Sequence, residues 1–338
     1  MADLTTTYMG LKLKSPVIAG ASGLTSNLDM IKKIEEAGAG AIVCKSLFEE
    51  EIQLESLELN KDLHEHDNIH PEGLTLFPDL KEKGPDYHLY WVKKTKENSK
   101  IPVIASLNAV NEEIWIEYAK KIEQTGVDGI ELNLYSSPDI IQNNSSNIEE
   151  KQLDVIKKIR KAIDLPISVK LSSYYTNLSG FVEQIDNIGI DGFVLFNRFF
   201  QSNIDINSEK FTLPFSLSDK EDNLLPLRFT GLLAGKVKGS LCSSTGIMNS
   251  DDVIRMILAG ADAVQVVSTL YKNGPDHMKT ILTGMEKWMD DKKYSSLKDF
   301  RGKMSRERLN PKDTWAYTRA QYVQMLMQPS DDLMDKIL

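Results

Sequence analysis

Five side chains able to do chemistry close five apolar runs of this 338-residue chain. Lys45 ends AIVCK, Asn108 ends PVIASLN, Asn133 ends GIELN, Lys170 ends PISVK and Asn197 ends GFVLFN. Strand interiors disfavour both residue types, and lysine is almost never buried unless its charge is paired. Any one of the five, taken alone, reads as a solvated rim residue. Together they read as a ring of amides and ammoniums converging on a planar, hydrogen-bonding, anionic ligand. Two further run ends are built from small residues. Ser244-Thr245-Gly246-Ile247 is followed by a helix opening at Asn249-Ser250-Asp251, and Ser268-Thr269 leads into Tyr271-Lys272-Asn273-Gly274. Small residues let backbone amides reach phosphate oxygens, and a helix N-terminus favours an anion.

The elements that must position these groups are marked by a repeat. Gly38-Ala39-Gly40-Ala41, Gly126-Val127-Asp128-Gly129, Gly189-Ile190-Asp191-Gly192 and Gly260-Ala261-Asp262-Ala263 each follow a helix-like stretch and precede a short apolar run. The runs lack clean alternation, which is how a parallel strand buried on both faces reads. A second set of runs, opened by Pro16, Pro102, Pro166 and Gly239, precedes each helix. Interleaved, they predict strands near 16–22, 41–46, 102–108, 129–134, 166–172, 192–198, 240–246 and 263–269. Eight parallel strands alternating with helices close into an α/β (β/α)8 TIM barrel, whose chemistry sits at the C-terminal strand ends. An open doubly wound sheet would need only five or six strands and a switch point. The reading is one domain over 1–338, with the barrel from about 10 to 305 and a helical C-terminal extension over about 306–338. Long loops after strands 2, 4 and 6 are expected to act as lids or site walls.

The bulk properties fit a soluble enzyme. An apolar fraction of 41% suffices for a sizeable core, and a net charge of −9 without a basic cluster speaks against nucleic acid or an anionic membrane as partner. The MADLTTTYMG start has no apolar leader core, and no run approaches the ~18 residues of a span. Cys44 and Cys242 fall inside expected strands and read as reduced core residues, which fits a cytoplasmic location. Of the five histidines, His66 and His70 have helical spacing, but proline follows them and no patterned partner does, so no metal site is expected.

These stretches, taken in order, resemble the dihydroorotate dehydrogenase family, specifically its soluble class and divergent dehydrogenase-like relatives. The resemblance is carried by SPVIAGASG (15–23), VCKS (43–46), ELNLYSSPD (131–139), SVKLS (168–172), LFNR (195–198), the STGI segment and 272–303. It implies a cytoplasmic, homodimeric FMN enzyme of pyrimidine synthesis that oxidises dihydroorotate to orotate and is reoxidised by a soluble acceptor such as fumarate. It also implies roles. Ala21, Ser22 and Gly23 would line the flavin ring, and Lys45 with Ser46 would stand where flavin and substrate meet. Asn108 would approach the flavin, Asn133 and Asn197 would hydrogen-bond the pyrimidine, and Lys170 would face the pyrimidine edge of the isoalloxazine. Gly246, Ser268 and Thr269 would offer amides to the FMN phosphate.

Two segments depart from the family pattern. The family places a cysteine or serine base immediately before proline in Asn-x-x-base-Pro-Asn. Here Asn133-Leu134-Tyr135-Ser136-Ser137-Pro138-Asp139 makes Ser137 the candidate base, with one residue too many and Asp139 in place of the last asparagine. Ser136 is the alternative, and the two serines could instead simply open a polar loop. After strand 2, His70-Pro71-Glu72-Gly73-Leu74 lacks the substrate asparagine and brings another negative charge. Two rivals to dihydroorotate oxidation therefore stand: an FMN oxidoreductase for another small cyclic amide or acid, and a flavin-binding protein without turnover. A phosphate-binding barrel lacking flavin would leave Lys45, Asn108 and Lys170 unexplained together.

Overall fold

Each glycine phrase of the repeat sits where a helix gives way to a barrel strand. The structure is a computed structural model that describes residues 2–48, 85–108, 112–134, 144–198, 203–212, 217–318 and 323. In it Gly38, Gly126, Gly189 and Gly260 have φ of 106°, 80°, 92° and 123°. That region strains an L side chain but not glycine. The sequence repeat is therefore one backbone requirement met four times.

The chain opens with an antiparallel hairpin, β1 (Thr6–Tyr8) and β2 (Leu11–Leu13). The barrel strands are β3 (Val17–Ala19), β4 (Ala41–Val43), β6 (Val103–Asn108), β7 (Gly129–Asn133), β8 (Ile167–Leu171), β9 (Gly192–Leu195), β12 (Ser240–Ser244) and β13 (Ala263–Val266). A two-residue strand, β5 (Leu47–Phe48), adds to the β6 ladder, and β10 (Asn203–Asp205) with β11 (Lys210–Thr212) forms a separate hairpin. The barrel strands pair in parallel in the order β4-β3-β13-β12-β9-β8-β7-β6, and a β4–β6 pairing closes the ring. All eight strands expected from the sequence are present, and the (β/α)8 barrel is confirmed. The intervening helices are α1 (Leu28–Glu36), α2 (Pro85–Asn98), α3 (Glu112–Glu123), α4 (Ser145–Ala162), α5 (Leu178–Ile188), α6 (Leu224–Leu233), α7 (Ser250–Ala259), α8 (Ser268–Asn273) and α9 (His277–Lys292).

The aspartate of the repeat has a job of its own. Asp128 accepts from the amide of Val103 at 2.8 Å, Asp191 from Ile167 at 2.9 Å and Asp262 from Leu241 at 2.9 Å. In each case the carboxylate stands just before one strand and caps an amide at the start of the strand before it. A cation braces each one: Lys96, Arg160 and Arg301 respectively. The first repeat has Gly40 instead, because a Cβ there would lie 2.0 Å from the Ser15 carbonyl oxygen.

Inside the ring, Ile18, Ala41, Val43, Ile104, Val194, Cys242 and Ala263 pack onto Tyr8, Met9 and Leu13. The hairpin is thus a stopper in the N-terminal end of the barrel. Gly129 and Gly192 make room for it, since a Cβ at either would lie 3.1 Å or 2.9 Å from the Met9 side chain. The outward-facing strand residues, such as Ile130, Leu132, Val169 and Leu171, pack with the helices in a second layer.

One stretch differs from the sequence reading. Leu225-Pro226-Leu227-Arg228-Phe229, expected in the loop after the sixth strand, lies in α6. Proline is tolerated in a first helical turn, where its missing donor has no partner to lose. Of the expected helical extension, residues 306–318 and Val323, which is helical, are described. From 306 it carries one short 310 turn, Thr314–Tyr317, after Asn310-Pro311 has interrupted any continuous helix. Tyr317 lies against Gly231 of α6, and its hydroxyl donates to the Met304 carbonyl. The acidic stretch from Glu49 to Glu65, the histidines His64, His66 and His70, and Glu72 lie outside the described residues.

Asp191→Ala removes the acceptor of a strand amide and the partner of Arg160. It is expected to destabilise the protein by about 1–3 kcal/mol, read as a lower midpoint in denaturant unfolding with an unchanged slope.

Candidate active site

The C-terminal ends of the barrel strands enclose one cavity of about 560 Å3, within the range of small-molecule sites. Ala21, Ser22 and Gly23 after β3, Lys45 and Ser46 after β4, Asn108 of β6, Asn133 of β7, Lys170 of β8, Asn197 after β9, Gly246 after β12 and Ser268 after β13 all line it. Twelve sequence-selected residues were assigned to the described part of the chain, and Thr269 is the exception. Its side chain is buried, and its hydroxyl donates to the Met248 carbonyl, away from the cavity. Ser137, the candidate base, and its alternative Ser136 lie outside the described residues, as does Asp139.

Strand alternation explains the convergence. In β7, Ile130 and Leu132 face the helices while Glu131 and Asn133 face inward, and β8 sends Lys170 inward beside Asn133 in the parallel register. Asn197 Nδ2 donates to Asn133 Oδ1 at 3.0 Å, so the two amides present themselves as a pair. Ser46 and Ser106 share a buried hydroxyl contact of 2.7 Å. Lys170 Nζ donates to Gln265 Oε1 at 3.3 Å and lies 3.6 Å from Glu131 Oε1. Gln265 Nε2 in turn donates to Glu131 Oε2.

Two polar lining residues escaped the sequence reading, Ser218 and Gln265, while Arg198, Thr245 and Tyr271 stood in segments already singled out but carried no role of their own. Gln265 gave a signal, as an amide in the middle of the apolar run AVQVV. Ser218 gave none, since it stands in a long loop without periodicity. It is nonetheless a hub. Its amide and hydroxyl both donate to Ser268 Oγ, and its own Oγ accepts from the Gly246 amide at 3.2 Å. Lys272 holds the same segment through the Ser218 carbonyl and Asp219, and Arg198 does so through Asp222 at 3.5 Å. The helix N-terminus expected at the phosphate position is differently employed. Asn249 and Asp252 cap α7 reciprocally, and neither lines the cavity.

The walls carry Lys45, Lys170 and Arg198, and no aspartate or glutamate among the described residues. Much of the remainder is backbone and small side chains. A Cβ on Gly23 would lie 2.9 Å from the Tyr271 hydroxyl, and one on Gly246, where φ is +73°, would lie 2.5 Å from the Asn223 nitrogen. A polyanion with a planar, hydrogen-bonding ring fits this donor set: cations and amides at the strand ends, hydroxyls and close backbone at Gly246, Ser218 and Ser268. FMN has that chemistry. Neither cysteine contributes a thiolate at neutral pH, because burial pushes Cys44 up to about 12 and Cys242 well above the usual thiol range. Both are free and buried, as expected.

His88 on α2 supports the site from behind. Its Nε2 lies 3.0 Å from the Lys45 carbonyl oxygen, which can only accept, so the ring carries its proton there. Nδ1 is buried without a hydrogen-bond partner among the described residues. Burial, with a smaller contribution from the Lys45 charge, pushes the imidazole down to about 4.

An eight-stranded parallel barrel with a cationic, amide-lined cavity at its C-terminal mouth is an α/β barrel with a small-molecule-sized cavity at the end where this fold places its chemistry. The comparisons with known proteins give the family. The family model described as dihydroorotate dehydrogenase matches residues 78–289, and the chain belongs to the dihydroorotate dehydrogenase family. The catalytic subunit of dihydroorotate dehydrogenase B (NAD(+)) from Thermoplasma acidophilum is 25% identical over 317 residues, 89% of this chain and 99% of that one. The corresponding subunit from Methanocaldococcus jannaschii is 28% identical over 288 residues, covering 82% and 90%. A relative from Aeropyrum pernix carrying the A (fumarate) designation is 25% identical over 308 residues, covering 89% and 97%. Among the described residues, no helix is long and apolar enough to cross a membrane.

Two outcomes are expected. A neutral buried His88 stabilises fully above pH ~6.5, and that stability is lost as the pH falls towards ~4, because the unfolded chain takes up a proton that the folded chain refuses. The loss is about 3 kcal/mol, and His88→Gln should flatten this part of the stability–pH curve measured by denaturant unfolding. Gly246→Ala drives a Cβ into the 219–223 backbone. It should abolish binding of the cavity's ligand while leaving far-ultraviolet circular dichroism unchanged.

Proposed function

We propose that the protein is an FMN-dependent oxidoreductase that converts dihydroorotate to orotate in pyrimidine synthesis. The observation that carries this reading is the convergence of Lys45, Lys170, Asn108, Asn133 and Asn197 on one cavity, in a chain whose family is dihydroorotate dehydrogenase. When bound, FMN supplies the two-electron acceptor. The protein's own groups do the rest. Ala21, Ser22 and Gly23 leave backbone against the ring, and Lys170 presents a fixed cation where negative charge accumulates. Asn108 orients the ring, and Gly246, Ser268 and Ser218 hold the phosphate by backbone and hydroxyl groups, with Thr269 contributing its amide alone. Asn133 and Asn197 bind the amide edge of the pyrimidine as a preorganised pair. Lys45 with Ser46 stands between cofactor and substrate, its cation meeting the substrate carboxylate.

Ser137 takes the proton released from the substrate carbon. A serine has no basicity of its own, so the proton passes onward through water or a relay. Reoxidation is by a soluble acceptor, with fumarate as the candidate. The reading also carries a homodimer in the cytoplasm.

A second reading keeps FMN and changes the substrate to another small cyclic amide or acid. Arg198 supports it by adding a guanidinium beside Asn197, and so does Asp139, which stands in the sequence where the family has asparagine.

The deciding experiment mixes FMN-saturated protein anaerobically with dihydroorotate and follows flavin absorbance. Rapid bleaching with stoichiometric orotate is expected, and Ser137→Ala should retain flavin while slowing bleaching by about 100-fold or more. Flavin that binds and stays oxidised sinks dihydroorotate as substrate and leaves the second reading or a non-catalytic flavin protein. Failure to bind FMN removes both readings.

A further inference from the structure

Beneath the cavity, behind the lining residues Lys170 and Gln265, lies a charged residue that the proposed chemistry does not use. Glu131 lies on β7 one inward position below Asn133, and its side chain is 1% exposed. Its neighbours explain neither its charge nor its burial: Tyr8 and Cys242 close by are both pushed up first by burial and further by the Glu131 charge. Gln265, on a strand that does not adjoin β7 or β8, donates to one carboxylate oxygen. The other oxygen accepts no hydrogen bond among the described residues and has only the Lys170 ammonium, 3.6 Å away, for compensation. A buried carboxylate oxygen left in that state is costly unless a cation faces it.

Lysine has four rotatable bonds and a mobile point charge. Here that charge is caught from two sides, by Glu131 and by Gln265 Oε1 at 3.3 Å. The Gln265 amide can take only one orientation, oxygen toward the ammonium and nitrogen toward the carboxylate, so the three side chains lock one another. The lock spans the barrel and leaves Lys170 lining the cavity.

We infer that Glu131 is a positioning residue: through the buried Glu131–Gln265–Lys170 lock it holds the Lys170 ammonium against the ring of the bound anionic cofactor. The inference concerns Lys170 itself, and its cofactor consequence rests on the FMN reading above. Glu131→Gln removes the charge and keeps the shape, Lys170→Met removes the cation, and the double variant tests whether one acts through the other.

Two measurements separate the claims. In FMN-free protein, the rate at which an amine-modifying reagent labels Lys170, mapped by peptide mass spectrometry, should rise severalfold in E131Q, since the ammonium is no longer held. In FMN-loaded protein, E131Q should weaken FMN binding by about tenfold, the loss expected for one charge-assisted contact. It should also shift the flavin midpoint potential in the same direction as K170M does, with no further change in the double variant. Unchanged labelling overturns the inference, as does a shift in E131Q that persists undiminished in the K170M background. A wild-type chain that binds no FMN defeats the cofactor reading alone, and the labelling result then decides the lock. If E131Q does not fold, Glu131→Asp keeps the charge but withdraws it by one methylene, and the same rise in labelling is expected.

Discussion

A parallel barrel has no hairpin turns to fix the alignment of its strands, so its register must come from other contacts. Here much of it comes from carboxylates at the strand entrances. Asp128, Asp191 and Asp262 each reach back to an amide at the start of the preceding strand. A slip of one residue would turn every inward side chain outward. Because each entrance is pinned, the exits are pinned as well, and Asn133 and Lys170 emerge side by side. The site at one end of the barrel therefore depends on polar contacts at the other.

The second constraint is electrostatic. A buried ion pair such as Glu131–Lys170 is a weak source of stability, because the desolvation of both charges offsets most of their attraction, and well-packed apolar residues would serve the fold as well. Its presence beneath the cavity makes sense as geometry. The cations that line the cavity differ accordingly: Lys170 is held from beneath by a full charge, whereas Arg198 reaches a partly exposed carboxylate across the 217–223 segment. One is a fixed part of the floor and the other is tied to a wall.

How far the sequence could be read depended on what kind of signal each residue leaves. The barrel was legible because Gly38, Gly126, Gly189 and Gly260 answer a backbone demand that only glycine meets cheaply, and because strands buried on both faces lose their alternation. The mouth was legible where polar residues interrupt apolar runs, as at Lys45, Asn133 and Lys170. Glu131 and Gln265 break their runs in the same way, yet they sit inside their strands, two residues and one residue before the ends. Ser218 could not have been found. Its place beside Gly246 and Ser268 is set by a long connection whose path only tertiary contacts determine. Of the C-terminal extension read as helical, the described residues 306–318 hold a 310 turn after Asn310-Pro311, where proline disfavours a continuous helix.

The hairpin stopper of Tyr8, Met9 and Leu13 makes the barrel a cup rather than a tube. With its base filled by side chains that are 2% exposed or less, the barrel has no through-passage along its axis among the described residues. A molecule bound in the cavity cannot leave by the N-terminal end, and it is the hairpin, remote from the residues that line the cavity, that decides so.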